Sequence, residues 1–318
     1  MRGSLLFALA AAAGCASSVA PDPGLEGLAL DKVAPATLVP GSKLVVKGAS
    51  FVDEEWGETT LHLVGKAGGQ NVDLSWPAKF VDFSTMTVSI DASMIDELGG
   101  DIDFAGEVSV EVVATSNGET YATEAIPQDL SFRRKLIPTP TGIVDGVIFV
   151  NDQIAVDGDG FLLGGDEGTT FARVTGCFQP DGSATCTPVT QQDIAMVPSE
   201  ELSRQHAVFP FAPKIAGIKP GTFAGQVTVY NQHAGGAEVM AQPIDVEYTM
   251  VTSQVFSADP PAASLGQYVF VRGGGFVGGE TGAGTDLELS GTFTKQGGSA
   301  VQVTMYLVPE FVEGRLVR

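Results

Sequence analysis

PGSKLVVKGASF (residues 40–51), VNDQIAVDGDGF (150–161) and LGQYVFVRGGGF (265–276) are one motif written three times. Their closing phenylalanines, Phe51, Phe161 and Phe276, stand 110 and 115 residues apart. A period of that length fits a whole β-sandwich and is far longer than a solenoid repeat. Ten residues before each phenylalanine lies Gly41, Asn151 or Gly266, residue types that tolerate the positive φ of a tight turn. Three residues before it lies Gly48, Gly158 or Gly273, after an apolar run of strand length.

The agreement extends outward from the motif. Pro35 and Pro260 precede their turn glycines by six positions in the first and third copies. Downstream, the runs LHLVG, ARVTG and LELSG close at Gly65, Gly176 and Gly291, and each leads into a turn. FAGEVSVEV, with its phenylalanine at Phe104, then matches FAGQVTVYN at Phe223. Val108, Val110 and Val112 alternate with polar residues, as do Val227 and Val229, the period of two that a sheet with one solvated face requires. DLSF ending at Phe132 and DVEY ending at Tyr248 read as closing strands.

Forty glycines and eighteen prolines suit many turns between short strands, and long amphipathic helical stretches are missing. The fold class expected is all-β: tandem immunoglobulin-like sandwiches over residues 27–135, 136–250 and 251–318, the third incomplete. The third copy supplies 68 residues and lacks counterparts of the FAG strand and the closing strand. A sandwich without its last strands exposes apolar surface and unpaired edges. Two explanations are open, a truncated reading frame or a gap filled by strand addition from another polypeptide.

The proline–turn–glycine opening, the apolar strand, the G-x-x-F step and the later closing strands together resemble the IPT/TIG family of Ig-like domains. That resemblance implies a Greek-key sandwich serving as a spacer, adhesion or surface-recognition module.

The chain starts MRGSLLFALAAAAGC. Arg2 supplies a positive region and Leu5 to Ala13 a short apolar one, as in a secretory signal over residues 1–14. Ala12-Ala13-Gly14-Cys15 resembles a bacterial lipobox, although that pattern usually has leucine where Ala12 stands, which keeps ordinary signal-peptidase cleavage open. The resemblance implies a lipidated Cys15, whose several acyl chains would anchor the protein stably, followed by a linker over 15–26. Ala16, not aspartate, follows the cysteine, which by resemblance leans toward the outer membrane. The localisation expected is therefore export to the cell envelope or surface.

With Cys15 assigned to lipid, Cys177 and Cys186 remain. Pro180-Asp181-Gly182 between them signals a turn, so the two thiols sit on opposing arms of a hairpin and are expected to form a disulfide in an oxidising compartment. A two-cysteine metal site lacks neighbouring ligands.

Thirty-eight acidic against seventeen basic residues give a net charge of −21. Such a surface repels phosphate backbones, so nucleic acid is not an expected partner. No cofactor is expected; calcium is the alternative, with Asp157 and Asp159 in DGDGFLLGGDEG as ligand candidates, but the twelfth position of that loop is Gly168, where an EF-hand needs glutamate. The alternative for Asp157, Asp159, Asp166 and Glu167 is a glycine-rich turn with solvated acids. The run Gly273–Gly278 formally matches a dinucleotide fingerprint, but no helical periodicity follows it. The three histidines, His62, His206 and His233, show no metal-type spacing, and no serine or cysteine sits in an elbow motif.

The function expected is non-enzymatic. The chain reads as a surface lipoprotein acting as a spacer or as an adhesion array for extracellular proteins or polysaccharides. The loops VDEEWGE and GGDEG are the candidate contacts, through Asp53, Glu54, Trp56, Asp166 and Glu167. Trp56 and Trp76 could stack on sugars, Trp56 being the better candidate because its loop is acidic. Two alternatives are a stalk for a catalytic domain beyond residue 318 and a calcium-stiffened adhesin.

Overall fold

The computed structural model describes residues 25–150, 152–217, 219–236, 238–264, 266–278 and 284–318. The signal segment, Cys15, Ala16 and the turn residue Asn151 lie outside the described residues. Strands make up 57% and helices 5% of the described residues, which settles the all-β class.

In the first repeat, β1 (Ala29–Ala34), β2 (Thr37–Leu38), β3 (Lys43–Ala49), β4 (Gly57–Ala67) and β5 (Gln70–Pro77) come first. There follow β6 (Lys79–Asp82), β7 (Thr85–Ser89), the short helix α1 (Ala92–Glu97), β8 (Ile102–Ala114), β9 (Thr120–Ala122) and β10 (Ile126–Phe132). They form a four-stranded sheet, β1-β3-β7-β6, and a second sheet, β2-β10-β8-β4-β5, with β9 also on β8.

The second repeat opens with β11 (Gly142–Ile143), β12 (Gly146–Phe149), β13 (Gln153–Asp157), β14 (Gly168–Pro180) and β15 (Thr187–Ala195). It continues through β16 (Val197–Pro198), β17 (His206–Pro210), α2 (Ala212–Ile215), β18 (Gly221–His233), β19 (Glu238–Met240) and β20 (Ile244–Val251). The order recurs strand for strand: β11-β13-β17-β16, and β12-β20-β18-β14-β15 with β19 on β18.

The third repeat has β21 (Gln254–Asp259), β22 (Phe270–Gly274), β23 (Leu287–Thr294), β24 (Ala300–Leu307), β25 (Phe311–Glu313) and β26 (Leu316–Val317). Its four-stranded sheet, β21-β22-β26-β25, keeps the shared order, whereas its other sheet has only β23 and β24 among the described residues. These are tandem Ig-like sandwiches, the third incomplete among the described residues.

The repeated motif has a single physical explanation. Phe51, Phe161 and Phe276 are all buried, and the amide of each donates to a backbone carbonyl, Phe83, Arg204 and Gly314 respectively. Each ring lies on the glycine three residues earlier. A Cβ at Gly48, Gly158 or Gly273 would meet that ring at 2.7, 2.9 or 2.5 Å, and the backbone of the neighbouring segment as well. Gly41 and Gly266 have φ of 90° and 82°, the turn geometry their residue type permits.

A second glycine repeats the device between strands. Gly65 pairs with Gly106, and Gly176 with Gly225, across β4–β8 and β14–β18. Phe104 and Phe223 fold over these glycine pairs; a Cβ on Gly106 or Gly225 would meet their rings at 2.7 Å. In the second repeat the two sheets enclose Ile154, Val156, Val174, Phe209, Val227 and Val229. In the first, Leu44, Val46, Leu61, Leu63, Val108 and Val110 are buried.

The described residues gather into two compact units. One comprises the described residues up to Ala36 with Lys43–Val88 and Asp103–Leu130; the other comprises those of Thr37–Ser42, Ser89–Ile102 and Ser131–Arg318. Within the second unit the third repeat is joined to the second: Phe149 meets Phe256 edge-on at 6.1 Å, and Arg315 pairs with Asp152 at 2.8 Å. Leu25, assigned to the linker, is buried, and Leu25–Gly27 forms a 3-10 turn.

Candidate functional site

The acidic loop of the second repeat carries the most organised polar cluster, and it corrects an expectation. Glu167 is not a solvated contact. It sits at the end of a 3-10 turn (Gly165–Glu167) and is 2% exposed. Its Oε1 accepts from Arg204 Nη2 at 2.7 Å and from Ser42 Oγ at 2.6 Å. Its Oε2 accepts from Arg204 Nη1 at 2.9 Å and from the Leu163 amide at 3.0 Å.

Arg204 uses its remaining donors on the carbonyls of Thr37 and Phe161, both at 3.0 Å, and on Ser42 Oγ at 3.4 Å. The five N–H groups of the guanidinium all have acceptors. Ser42 Oγ in turn accepts from the Val39 amide at 2.8 Å. Burial pushes the Glu167 carboxyl up, but the hydrogen bonds and charge of Arg204, with Ser42 and Leu163, hold it below the usual 4.5. A carboxylate so saturated, with no proton and no free lone pair aimed at a cavity, ties segments together and has nothing to give a substrate.

Nearby, Asn231 is fully buried and also satisfied. Its Nδ2 donates to the carbonyls of Leu136 and Gly160, at 2.9 and 2.8 Å, and its Oδ1 accepts from Thr170 Oγ1 at 2.8 Å. Val39, Leu136 and Leu162 pack into a small apolar cluster beside this polar layer. Arg204, Ser42, Thr170 and Asn231 were not singled out from sequence. No sequence signal marked them: that the Phe161 amide meets the Arg204 carbonyl, as Phe51 meets Phe83 and Phe276 meets Gly314, emerges only in the folded chain.

The other candidates stay at the surface. Asp166 is exposed. In the first unit, Asp53, Glu54 and Trp56 form an exposed turn, with Trp56 at 51%. Asp53 shapes it: its carboxylate accepts the Glu55 amide at 3.1 Å and its carbonyl accepts the Trp56 amide at 2.8 Å. Trp76, the other tryptophan considered for sugar stacking, is buried on the inner face of β5.

Asp157 and Asp159 are exposed, and they do not converge. Asp157 pairs with His206 Nδ1 at 2.8 Å, whereas Asp159 accepts the Gly160 amide at 2.8 Å. Among the described residues no three His, Cys, Asp or Glu side chains gather as a metal site. His62 shares a hydrogen bond with Ser75 at 3.0 Å. His233 Nε2 accepts the Leu136 amide at 3.1 Å, and burial lowers its pKa.

Cys177 and Cys186 are disulfide-bonded, with Cα atoms 5.8 Å apart. Cys177 lies on β14, Gly182 turns the chain with φ of 74°, and Cys186 precedes β15. Another surface feature of the second unit is a shallow apolar depression of about 400 Å³ lined by Ile137, Pro138, Pro140, Met240 and Pro243.

No family model matches this chain, and no curated protein matches it. Among solved structures it is similar to the full extracellular region of plexin A4, at 11% identity and a TM-score of 0.27, covering 91% of this chain and 30% of that one. It is also similar to the chicken CNTN1 FN1–FN3 domains, at 10% identity and 0.20, covering 89% and 87%. A marsupial T cell receptor matches at 8% and 0.23, covering 88% and 93%. The chain thus spans less than a third of the plexin chain. The sandwich assignment rests on the strand order and packing described above.

Proposed function

We propose that this chain is a non-enzymatic, exported lipoprotein of bacterial type, whose IPT/TIG-like repeats hold recognition loops away from the membrane that Cys15 anchors. One observation carries the reading. The same strand order and the same phenylalanine-on-glycine contact recur with a period of about one sandwich, while the most organised buried charge cluster is consumed internally. Repetition of one scaffold suits a spacer that presents loops.

The exposed Asp53–Trp56 turn is the contact favoured for an extracellular protein or polysaccharide, because an aromatic ring flanked by carboxylates offers stacking and hydrogen bonding together. Expression in a Gram-negative host with labelled palmitate tests the anchor. Label should enter the chain and fractionate with membrane, and Cys15→Ser should abolish both. Label retained in Cys15→Ser, or a chain released to the medium without label, contradicts it. For the contact, a glycan and surface-protein array should show a ligand lost in Trp56→Ala; no ligand across the array leaves the spacer role alone.

A further inference from the structure

Charge is sorted between the two sheets of the first repeat. The strands of β1-β3-β7-β6 carry four lysines, Lys32, Lys43, Lys47 and Lys79, against two aspartates, Asp31 and Asp82. The strands of the other sheet carry Glu58, Asp73, Asp103, Glu107, Glu111 and Asp129 against Lys66 alone. A lysine-rich sheet runs against the composition of a chain with 38 acids and 17 bases. The matching sheet of the second repeat, β11-β13-β17-β16, has no lysine or arginine.

Alternation along the strands places these lysines on one face, outside the core. On β3 the side chains of Leu44 and Val46 are buried, so Lys43 and Lys47 point the other way. Lys32 stands directly opposite Lys47, and Lys79 opposite Thr87, which alternates with buried Met86 and Val88. All four lysines are exposed. Like charges directly opposite across a ladder repel, and Lys47 Nζ donates to a neutral group, Thr85 Oγ1, at 2.8 Å. Asp31 stands in the bulge before Lys32. Asp82 is engaged with Ser84, whose amide and hydroxyl each donate to its carboxylate at 2.8 Å. On the same hairpin, Val81 of β6 and Phe83 of the turn are 55% and 74% exposed, and the Phe83 ring meets Phe80 edge-on at 5.7 Å.

We infer that the lysine face of the first repeat, with Val81 and Phe83 beside it, docks on an anionic lipid bilayer. The lysines match the negative headgroups, and an anionic surface relieves the repulsion between Lys32 and Lys47. The acids of the other sheet lie beyond the core, at least about 10 Å away, so salt screens most of their opposition. Sorted charge also orients the repeat, with the basic sheet toward the bilayer and the acidic sheet away from it. The apolar side chains select a bilayer over a soluble polyanion. Lysines alone would satisfy a polyanion, whereas Val81 and Phe83 gain only where an acyl boundary can bury them. The inference goes beyond the anchor proposed at Cys15 and does not need it.

The test sediments the full chain carrying Cys15→Ser, which has no acyl group, with vesicles of phosphatidylglycerol and phosphatidylethanolamine in about 100 mM sodium chloride. The expected result is saturable binding that weakens as salt rises to about 500 mM. Adding Lys32→Glu with Lys79→Glu should lower the partition coefficient at least about tenfold. The same double change should not lower the melting temperature, because Lys32→Glu sets opposite charges across the ladder from Lys47. Phe83→Ser should weaken binding at least about threefold. Absence of binding, equal binding to pure phosphatidylcholine, or undiminished binding of the lysine variant would overturn the proposal. So would binding to dextran sulfate as tight as to vesicles and indifferent to Phe83→Ser, which would mark a site for soluble polyanions. Since no acyl chain takes part, none of these results bears on the Cys15 anchor, which palmitate labelling tests separately.

Discussion

Gly158 and Gly291 sit in opposite surroundings, one filled and one empty, and substitution should separate them. At Gly158 a Cβ would meet the Thr139 carbonyl at 2.6 Å and the Phe161 ring at 2.9 Å. Gly158→Ala should therefore destabilise by about 1–3 kcal/mol, the usual range for overpacking a filled site. At Gly291 the same change meets nothing and should leave the urea midpoint of the free chain unchanged within about 0.5 kcal/mol. Equal losses at both positions would contradict the packing described.

Glu167 and Arg204 define the other residue-scale expectation. Arg204→Met leaves a buried carboxylate unpaired and should cost about 3–5 kcal/mol by urea denaturation. The pH dependence follows from the lowered carboxyl. A group whose folded pKa lies below its unfolded 4.5 contributes stability that is fully present above 4.5 and lost as pH falls through the folded value. The double variant Glu167→Leu with Arg204→Met should lose that part of the acid limb. An unchanged acid limb would show that the pair does not set it.

At the scale of elements, the disulfide closes the β14–β15 hairpin over a sequence separation of 9. So short a loop removes little unfolded-state entropy, and reduction should cost roughly 2–3 kcal/mol, read as a fall in the denaturation midpoint with dithiothreitol. Reduction without effect would mean that the ladder pairings of Phe178 with Thr187 and Cys177 with Pro188 already fix the turn. The strands were legible in sequence wherever alternation was strict: Val108, Val110 and Val112 are all buried on β8. They were less legible where a strand is only two residues long, as for β2, β11 and β16, because two residues carry no period. The buried polar layer was illegible for a related reason. Ser42, Glu167 and Arg204 are far apart in the chain, and a glutamate in GGDEG reads as solvated until a distant arginine covers it. The candidate turn Asp53–Trp56 was readable because its acids and tryptophan are local.

For the whole molecule, a net charge of −21 opposes compaction through self-repulsion that salt screens. Raising sodium chloride from about 10 to about 300 mM should increase the melting temperature by roughly a few degrees; a decrease would mean that favourable ion pairs outweigh the repulsion. The larger claim is that one Ig-like sandwich recurs, closed in two copies, with β23 paired to β24 alone among the described residues of the third. Hydrogen exchange resolved to peptides tests it most directly, because protection reports the pairing of each strand. Residues 61–65 and 172–176, each flanked by partners on both sides, should exchange slowly and alike. Residues 287–291 should exchange at least about a thousandfold faster. Equal protection of all three segments, or unlike protection of the first two, would contradict the account.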